Sequence, residues 1–141
     1  DKTGEWLQPT FAELHRVLRP DSFCVSFYGW TKIDHFFAAW KKSGFRVVGH
    51  IVFNKGYAIQ RFVRYQHESA FLLAKGNPAL PENPIPDVLP WKYSGNKYHP
   101  TQKPLDAMKT LVEAFSKPGD LVLDPLCYAQ HNGSSVAKLI M

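Results

Sequence analysis

The chain has 141 residues, a formal net charge of +5 at pH 7 and 45% hydrophobic residues. This length fits one domain and is too short for two. The apolar runs have the length of strands, so we expect neither a membrane span nor a secretory signal. The positive charge favours a polyanionic partner, although many basic proteins bind no nucleic acid.

The two cysteines, Cys24 and Cys127, form no CxxC pair and have no zinc-ligand spacing to the six histidines. We therefore expect them to be small core residues of a protein in the reduced cytoplasm. No metal site is predicted.

The N-terminal part of the chain predicts a helix. Apolar residues recur at helical spacing from Leu7 to Val17. Thr10 and Glu13 have the spacing of a capping box, and Pro20 ends the helix.

Residues 22–28 are apolar on both faces, which is typical of a central strand. Thr31 and Asp34 repeat the capping spacing and predict a second helix, which Gly44 ends. One face of this helix carries the apolar residues Ile33, Phe36, Phe37 and Trp40.

Two strands are predicted next, at residues 46–53 and 67–74, with a polar, aromatic loop between them. No helix-length segment separates these strands, so they should pair antiparallel. Residues 76–98 contain five prolines and predict an irregular excursion.

Pro104 opens another predicted helix, which Pro118 and Gly119 end. Its expected inward residues are Leu105, Met108, Leu111, Val112 and Phe115. A short buried strand at residues 121–123 and the start of a last helix at residue 134 follow. Alternating helices and strands with one antiparallel pair indicate an open α/β sheet.

Two motifs are specific: HPTQKP at residues 99–104, followed at once by a helix, and DLVLDPL at residues 120–126. Their order and spacing resemble the S-adenosylmethionine-dependent adenine-N6 and cytosine-N4 DNA methyltransferases with circularly permuted motifs. The segments FAELHRVLRPDSFCVSFYGW and HESAFLLAKG are similar to other elements of that family. The resemblance implies a partial Rossmann-like methyltransferase fold: one domain over residues 1–141, with a mixed sheet, one antiparallel strand and a missing upstream catalytic segment.

The resemblance also implies where the cofactor would bind, since open α/β sheets bind nucleotide-like ligands at the carboxyl ends of their strands. By match to the two motifs, the expected S-adenosylmethionine contacts are Thr101, Gln102, Lys103, Asp124, Pro125, Leu126 and Gly133. Backbone shaping is the alternative role of Pro125, and a solvated charge is the alternative for Lys103.

Two departures from the family pattern bear on activity. The expected glycine turn reads DPLCYAQHNGSS, in which residues 128–132 replace the first glycines and Gly133 remains. Residues with a Cβ are poor substitutes for glycine where φ is positive, so we expect weak or absent cofactor binding. The catalytic tetrapeptide, Asp/Asn/Ser-Pro-Pro-aromatic, does not occur, so no catalytic residue is predicted.

Two stretches interleave cations with aromatic rings, as nucleic-acid channels do. The candidate DNA-binding residues are Lys55, Tyr57, Arg61, Arg64 and Tyr65 in the first stretch, and Lys92 and Lys97 in the second. The alternative is that the rings belong to the core and the cations face water.

The sequence thus predicts a site-specific DNA methyltransferase, adenine-N6 ahead of cytosine-N4, whose chain is inactive alone. The alternative is a non-catalytic remnant of the fold that acts at most as a weak DNA-binding module. The expected partner is DNA, with no membrane, and either a homo-oligomer or an upstream segment completes the fold.

The resemblance finally predicts a sheet order: residues 121–123, a gap, residues 22–28, residues 67–74 running antiparallel, and residues 46–53 at the edge. In the family, the strand with the catalytic motif fills this gap. Because a gap exposes unpaired backbone groups, we expect direct pairing of its two neighbours, backbone from a second chain, or a rearranged C-terminal segment. Of these, we favour association or rearrangement.

Overall fold

The computed structural model describes residues 3–92 and 103–125. Its helices are α1 (Thr3–Val17), α2 (Ile33–Lys42) and α3 (Leu105–Phe115). Its strands are β1 (Ser22–Phe27), β2 (Arg46–Gln60), β3 (Arg64–Lys75) and β4 (Val88–Pro90). A short 3-10 turn, Trp30–Lys32, leads from β1 into α2.

The four strands form one mixed sheet in the order β1-β3-β2-β4. Strand β3 runs antiparallel to both of its neighbours, and β4 runs parallel to β2. The predicted mixed sheet with one antiparallel strand is therefore confirmed, as is the antiparallel pairing of residues 67–74 with residues 22–28.

Helices cover both faces of the sheet. Alternate residues of β1 point to opposite sides and contact different helices. Val25 belongs to a core that includes Leu111 of α3. The adjacent Cys24 belongs to a second core, which includes Phe11 of α1 and Trp40 of α2. The result is a three-layer α/β arrangement with α1 and α2 on one side and α3 on the other.

Cys24 behaves as predicted for a core residue, since it is 3% exposed. Burial raises the pKa of its thiol to about 12, so the reactive thiolate does not form at neutral pH. Cys127 lies outside the described residues.

Both predicted capping boxes are wrong. Thr10 lies inside α1, and its hydroxyl donates to the carbonyl of Trp6 at 2.7 Å. Burial of Leu7 on the face that also carries Phe11 explains the earlier helix start, since tertiary packing overrides local capping signals. Thr31 lies in the 3-10 turn, and α2 begins without a side-chain cap.

The predicted loop between the two long strands is also wrong. Strand β2 continues to Gln60 and β3 begins at Arg64, with Ile59 opposite Tyr65. We call residues 55–66 the hairpin arm. Their sequence lacks the alternation of a half-buried strand. The side chains that the structure describes in the arm are exposed or partly buried, and backbone pairing places Ile59 opposite Tyr65 and Gln60 opposite Arg64. The register shifts between Asn54 and Ile59.

Strand β4 lies within the stretch predicted to be irregular, and it pairs with the outer edge of β2. Residues 46–53 therefore do not form the edge of the sheet, contrary to prediction. Backbone bonds fix the pairing: Val52 N–H donates to the Asp87 carbonyl at 2.7 Å, and Trp91 N–H donates to the Asn54 carbonyl at 3.0 Å. A short proline-flanked segment has little tendency to form a strand by itself. Burial of Leu89 between these two bonds stabilises its pairing with β2.

The predicted buried strand at residues 121–123 is wrong as well. These residues have no strand pairing within the described part of the chain, and Leu121 is 90% exposed. The preceding Asp120 lies 3.6 Å from Arg19, just before β1.

A cleft of about 500 Å³ separates residues 121–123 from β1, at the place where the gap was predicted. The two segments do not pair directly, and β1 is an end strand of the described sheet instead of a central one. Association or rearrangement beside β1 stays a prediction.

None of the helices in the described ranges is long and apolar enough to cross a membrane.

Gly76 closes the end of β3 in a conformation that requires glycine. Its φ is +70°, and an added Cβ would lie 2.6 Å from Oδ1 of Asp21. That same oxygen accepts a hydrogen bond from the Asn77 N–H at 2.8 Å, and the Gly76 carbonyl accepts one from Arg46 Nη2 at 2.7 Å. The junction between β1, β2 and β3 therefore has no space for a side chain.

Gly76→Ala should lower the free energy of unfolding by about 1–3 kcal/mol, because alanine is strained at positive φ and displaces the Asp21 carboxylate. Gly29→Ala is the matched control, since Gly29 has φ −85° and a Cβ there meets no atom within 4 Å. Urea denaturation of both variants measures the difference. Equal stability of the two would show that this junction contributes no strain.

Candidate functional site

The carboxyl ends of β1, β2 and β4 lie on one edge of the sheet, because these three strands run in the same direction. Trp30 follows β1, and Trp91 follows β4. Lys55 comes directly after Asn54, the last residue of β2 that pairs with β4. Open α/β sheets bind their ligands at this edge. We call it the carboxyl edge.

Lys103, predicted to contact the cofactor, lies at the carboxyl edge. Its Nζ is 2.6 Å from Oε1 of Glu68 and 4.6 Å from the centre of the Phe27 ring. The Trp91 ring lies 5.6 Å away. With a side chain that is 33% exposed, Lys103 is held by an ion pair and two rings instead of being fully solvated.

Glu68 joins residues from the two predicted sites. Its Oε1 pairs with Lys103, and its Oε2 lies 3.4 Å from Nζ of Lys55. Lys55, predicted to bind DNA, therefore shares a carboxylate with a cofactor candidate. Each of the three side chains is less than about a third exposed, so solvent screens this network less than a surface pair.

Three buried aromatic rings support the network from below. Phe27 stacks on Phe53 with ring centres 5.7 Å apart, and Trp91 contacts the two rings edge-on at 6.2 and 5.3 Å. The faces of Phe27 and Trp91 accept the Lys103 ammonium, because the face of an aromatic ring is electronegative.

The start of α3 positions Lys103. Pro104 is fully buried, and its carbonyl accepts the first helical hydrogen bond, from Met108 N–H at 3.1 Å. The inward face of α3 carries the buried Ala107, Met108 and Leu111, and the partly buried Phe115 packs against the same core, as predicted. Leu105, predicted to point inward, is 52% exposed. The buried Pro104 shifts the inward face of the helix, which leaves Leu105 outside.

The remaining cofactor candidates are only partly described. Asp124 is partly buried and Pro125 is exposed, at the end of the segment that runs beside β1. Thr101, Gln102, Leu126 and Gly133 lie outside the described residues, as does the altered glycine turn.

The predicted DNA-binding residues of the first stretch lie on the hairpin arm. Arg61 and Arg64 are exposed at its tip, and Tyr65 stacks on Trp30 with ring centres 6.0 Å apart. Tyr57 lies in β2, and its side chain is outside what the structure describes. In the second stretch Lys92 is exposed, whereas Lys97 lies outside the described residues.

Sequence reasoning missed Glu68, Phe27, Trp91 and Trp30 as parts of these sites. Glu68 lies inside the segment HESAFLLAKG and Phe27 inside FAELHRVLRPDSFCVSFYGW, but nothing local marks them as neighbours of Lys103. Only strand pairing brings them together. Within residues 3–92 and 103–125, no group of three or more His, Cys, Asp or Glu side chains is placed to hold a metal ion.

A family model described as a DNA methylase matches residues 1–129 of the chain. The chain belongs to this DNA methylase family. The predicted resemblance is therefore confirmed. The putative methylase YubD of Escherichia coli (strain K12) is 54% identical over 140 residues, which cover 99% of this chain and 61% of the relative. The chain thus spans less than two thirds of the length of this relative.

Two solved structures show a similar fold. The crystal structure of the M1.HpyAVI–SAM complex matches with a TM-score of 0.67 and 25% identity, over 84% of this chain and 64% of that one. A crystal structure of M1.HpyAVI matches with a TM-score of 0.64 and 22% identity, over 86% and 63% of the two chains. The prediction of a partial Rossmann-like methyltransferase fold is therefore confirmed.

Glu68→Gln should lower the free energy of unfolding by about 1–2 kcal/mol, because two partly buried ammonium groups then lose their shared carboxylate. Glu113→Gln is the matched control: its carboxylate is exposed and lies 3.9 Å from Lys109. This control should cost about 0.5 kcal/mol or less. Denaturant unfolding at two salt concentrations measures both. An equal effect of the two substitutions would contradict the role assigned to the network.

Proposed function

We propose that this chain is the cofactor-edge portion of a DNA amino-methyltransferase that uses S-adenosylmethionine. The observation that carries the proposal is the DNA methylase match over residues 1–129, which includes the HPTQKP motif. The motif's Lys103 lies at the carboxyl edge, where this class of sheet binds ligands. Adenine-N6 is proposed ahead of cytosine-N4 as the target, and a cytoplasmic location accompanies a DNA substrate.

The described part of the carboxyl edge has chemistry that fits S-adenosylmethionine. Lys103 presents an ammonium and Glu68 a carboxylate, which complement the carboxylate and the ammonium of the cofactor's methionine part. We propose that these two side chains hold that end of the molecule. When bound, the cofactor supplies an electrophilic methyl group.

One feature of the sequence argues that the chain by itself is inactive. It lacks the Pro-Pro-aromatic tetrapeptide, so nothing orients the target nitrogen, and positioning supplies much of the rate of such reactions. The same absence supports a second candidate function, a non-catalytic remnant with weak DNA affinity. Either a second copy or further chain beside β1 would complete the sheet.

The purified chain, incubated with labelled S-adenosylmethionine and mixed-sequence DNA, should transfer no methyl groups above background. An active DNA methyltransferase serves as the positive control. Methyl transfer to DNA that co-purifies with the chain through successive columns would contradict the expectation. Nucleoside analysis of such product would then distinguish N6-methyladenine from N4-methylcytosine.

Calorimetry should detect weak or no S-adenosylmethionine binding, because residues 128–132 replace the first glycines of the turn. A micromolar site lost in Lys103→Ala but kept in Lys109→Ala would show that the altered turn still admits the cofactor. Such a result would overturn the expected weakness and support the assigned role of Lys103.

DNA binding should be weak and fall steeply with salt, because phosphate contacts release counterions. Fluorescence anisotropy at several salt concentrations measures the slope of log affinity against log salt. A flat slope combined with sequence preference would instead indicate direct base readout.

A further inference from the structure

The tip of the hairpin arm exposes apolar side chains to an unusual degree. Phe62 has a relative exposure of 103%, and the neighbouring Val63 and Ile59 are 60% and 55% exposed. The arm extends past the last contact between β2 and β4, at Asn54 and Pro90, so it projects beyond the sheet. Burying these side chains on a partner would release apolar surface from water.

The charge of the arm selects the kind of partner. Residues 54–67 contain Lys55, Arg61 and Arg64 and no acidic residue. The next acid along the chain, Glu68, is engaged by Lys55 and Lys103. Arg61 and Arg64 flank the exposed Phe62 and Val63, so the apolar tip lies between two cations.

An aromatic platform lies beside the tip of the arm. Trp30 is 65% exposed and stacks on Tyr65 at an interplanar angle of 25°. Tyr65 pairs with Ile59, so this platform belongs to the same ribbon as the tip. Exposed rings beside cations are the usual means of contacting nucleic-acid bases and phosphates.

A nucleic acid fits these features better than the other occupants. A second copy of the arm would bring four like-charged arginines together, which is unfavourable. An anionic lipid surface would match the charge, but a two-stranded ribbon offers only a narrow apolar tip. The width of such a ribbon suits a groove of duplex DNA.

We propose that the hairpin arm enters a groove of duplex DNA and that Phe62 wedges against a base step, while Arg61 and Arg64 bind phosphates on either side. Apolar wedges of this kind partly unstack the bases they contact. Unstacking lowers the cost of extruding a base for chemistry. This inference rests on the proposed DNA substrate and assigns the arm as the element that engages it.

The test uses the complete chain and a duplex that carries 2-aminopurine, whose fluorescence rises on unstacking. Anisotropy at low salt gives affinity in the same sample. The variants are Phe62→Ala and the double substitution Arg61→Ala with Arg64→Ala. The controls are Leu80→Ala, a 93% exposed apolar residue away from the arm, and Lys42→Ala, an exposed cation on α2.

Phe62→Ala should abolish the fluorescence rise and leave the salt slope unchanged. The double arginine variant should reduce the salt slope by about 2, which corresponds to two lost phosphate contacts. The controls should behave as wild type. All these side chains are exposed, so thermal unfolding should be unchanged and would identify any folding defect.

Three results would overturn the inference in distinguishable ways. DNA binding that none of the arm substitutions alters would overturn the role of the arm and leave the proposed function standing. Absence of DNA binding by the wild type would overturn both. Arm-dependent sedimentation with phosphatidylserine vesicles, without DNA binding, would replace the DNA groove by a lipid surface.

Discussion

Strand β3 pairs with β1 along one edge and with β2 along the other, and its side chains alternate between the two cores. Ala70 packs in the core that contains α3, whereas Leu73 packs in the core that contains α1 and α2. The same alternation places Glu68 on the α3 side, two residues before Ala70. A register shift of one residue would bury Glu68 on the wrong face and separate it from Lys103.

The carboxyl edge depends on this placement of Glu68, because its carboxylate pairs with two partly buried lysines, Lys55 and Lys103. Opposite charges about 4 Å apart gain roughly 4 kcal/mol at an intermediate dielectric constant, most of which offsets desolvation. Without the Glu68 carboxylate, Lys55 and Lys103 would repel each other above the rings of Phe27 and Trp91. The proposed cofactor role of Lys103 and Glu68 depends on this network.

The hairpin arm differs from the carboxyl edge in how it is stabilised. It continues the β2–β3 pairing beyond the core, where backbone hydrogen bonds hold two strands that bury little apolar surface. Its stability comes from the sheet that anchors it, and its exposed tip is free to contact a partner. This member of the DNA methylase family thus has a partly buried ion-pair network at the carboxyl edge and cations with exposed rings at the arm. Glu68, at the root of the arm, joins the two.

The sequence alone determined the fold class, the family and the antiparallel position of β3, because hydrophobic periodicity and the motifs HPTQKP and DLVLDPL are local patterns. It did not predict β4, the extension of β2 and β3, or the exposure of Leu121, because each depends on which strand lies alongside. It named Lys55 and Lys103 as members of separate sites. Only the tertiary structure joined them through Glu68, because residues far apart in the chain meet only after strand pairing fixes which side chains share a face.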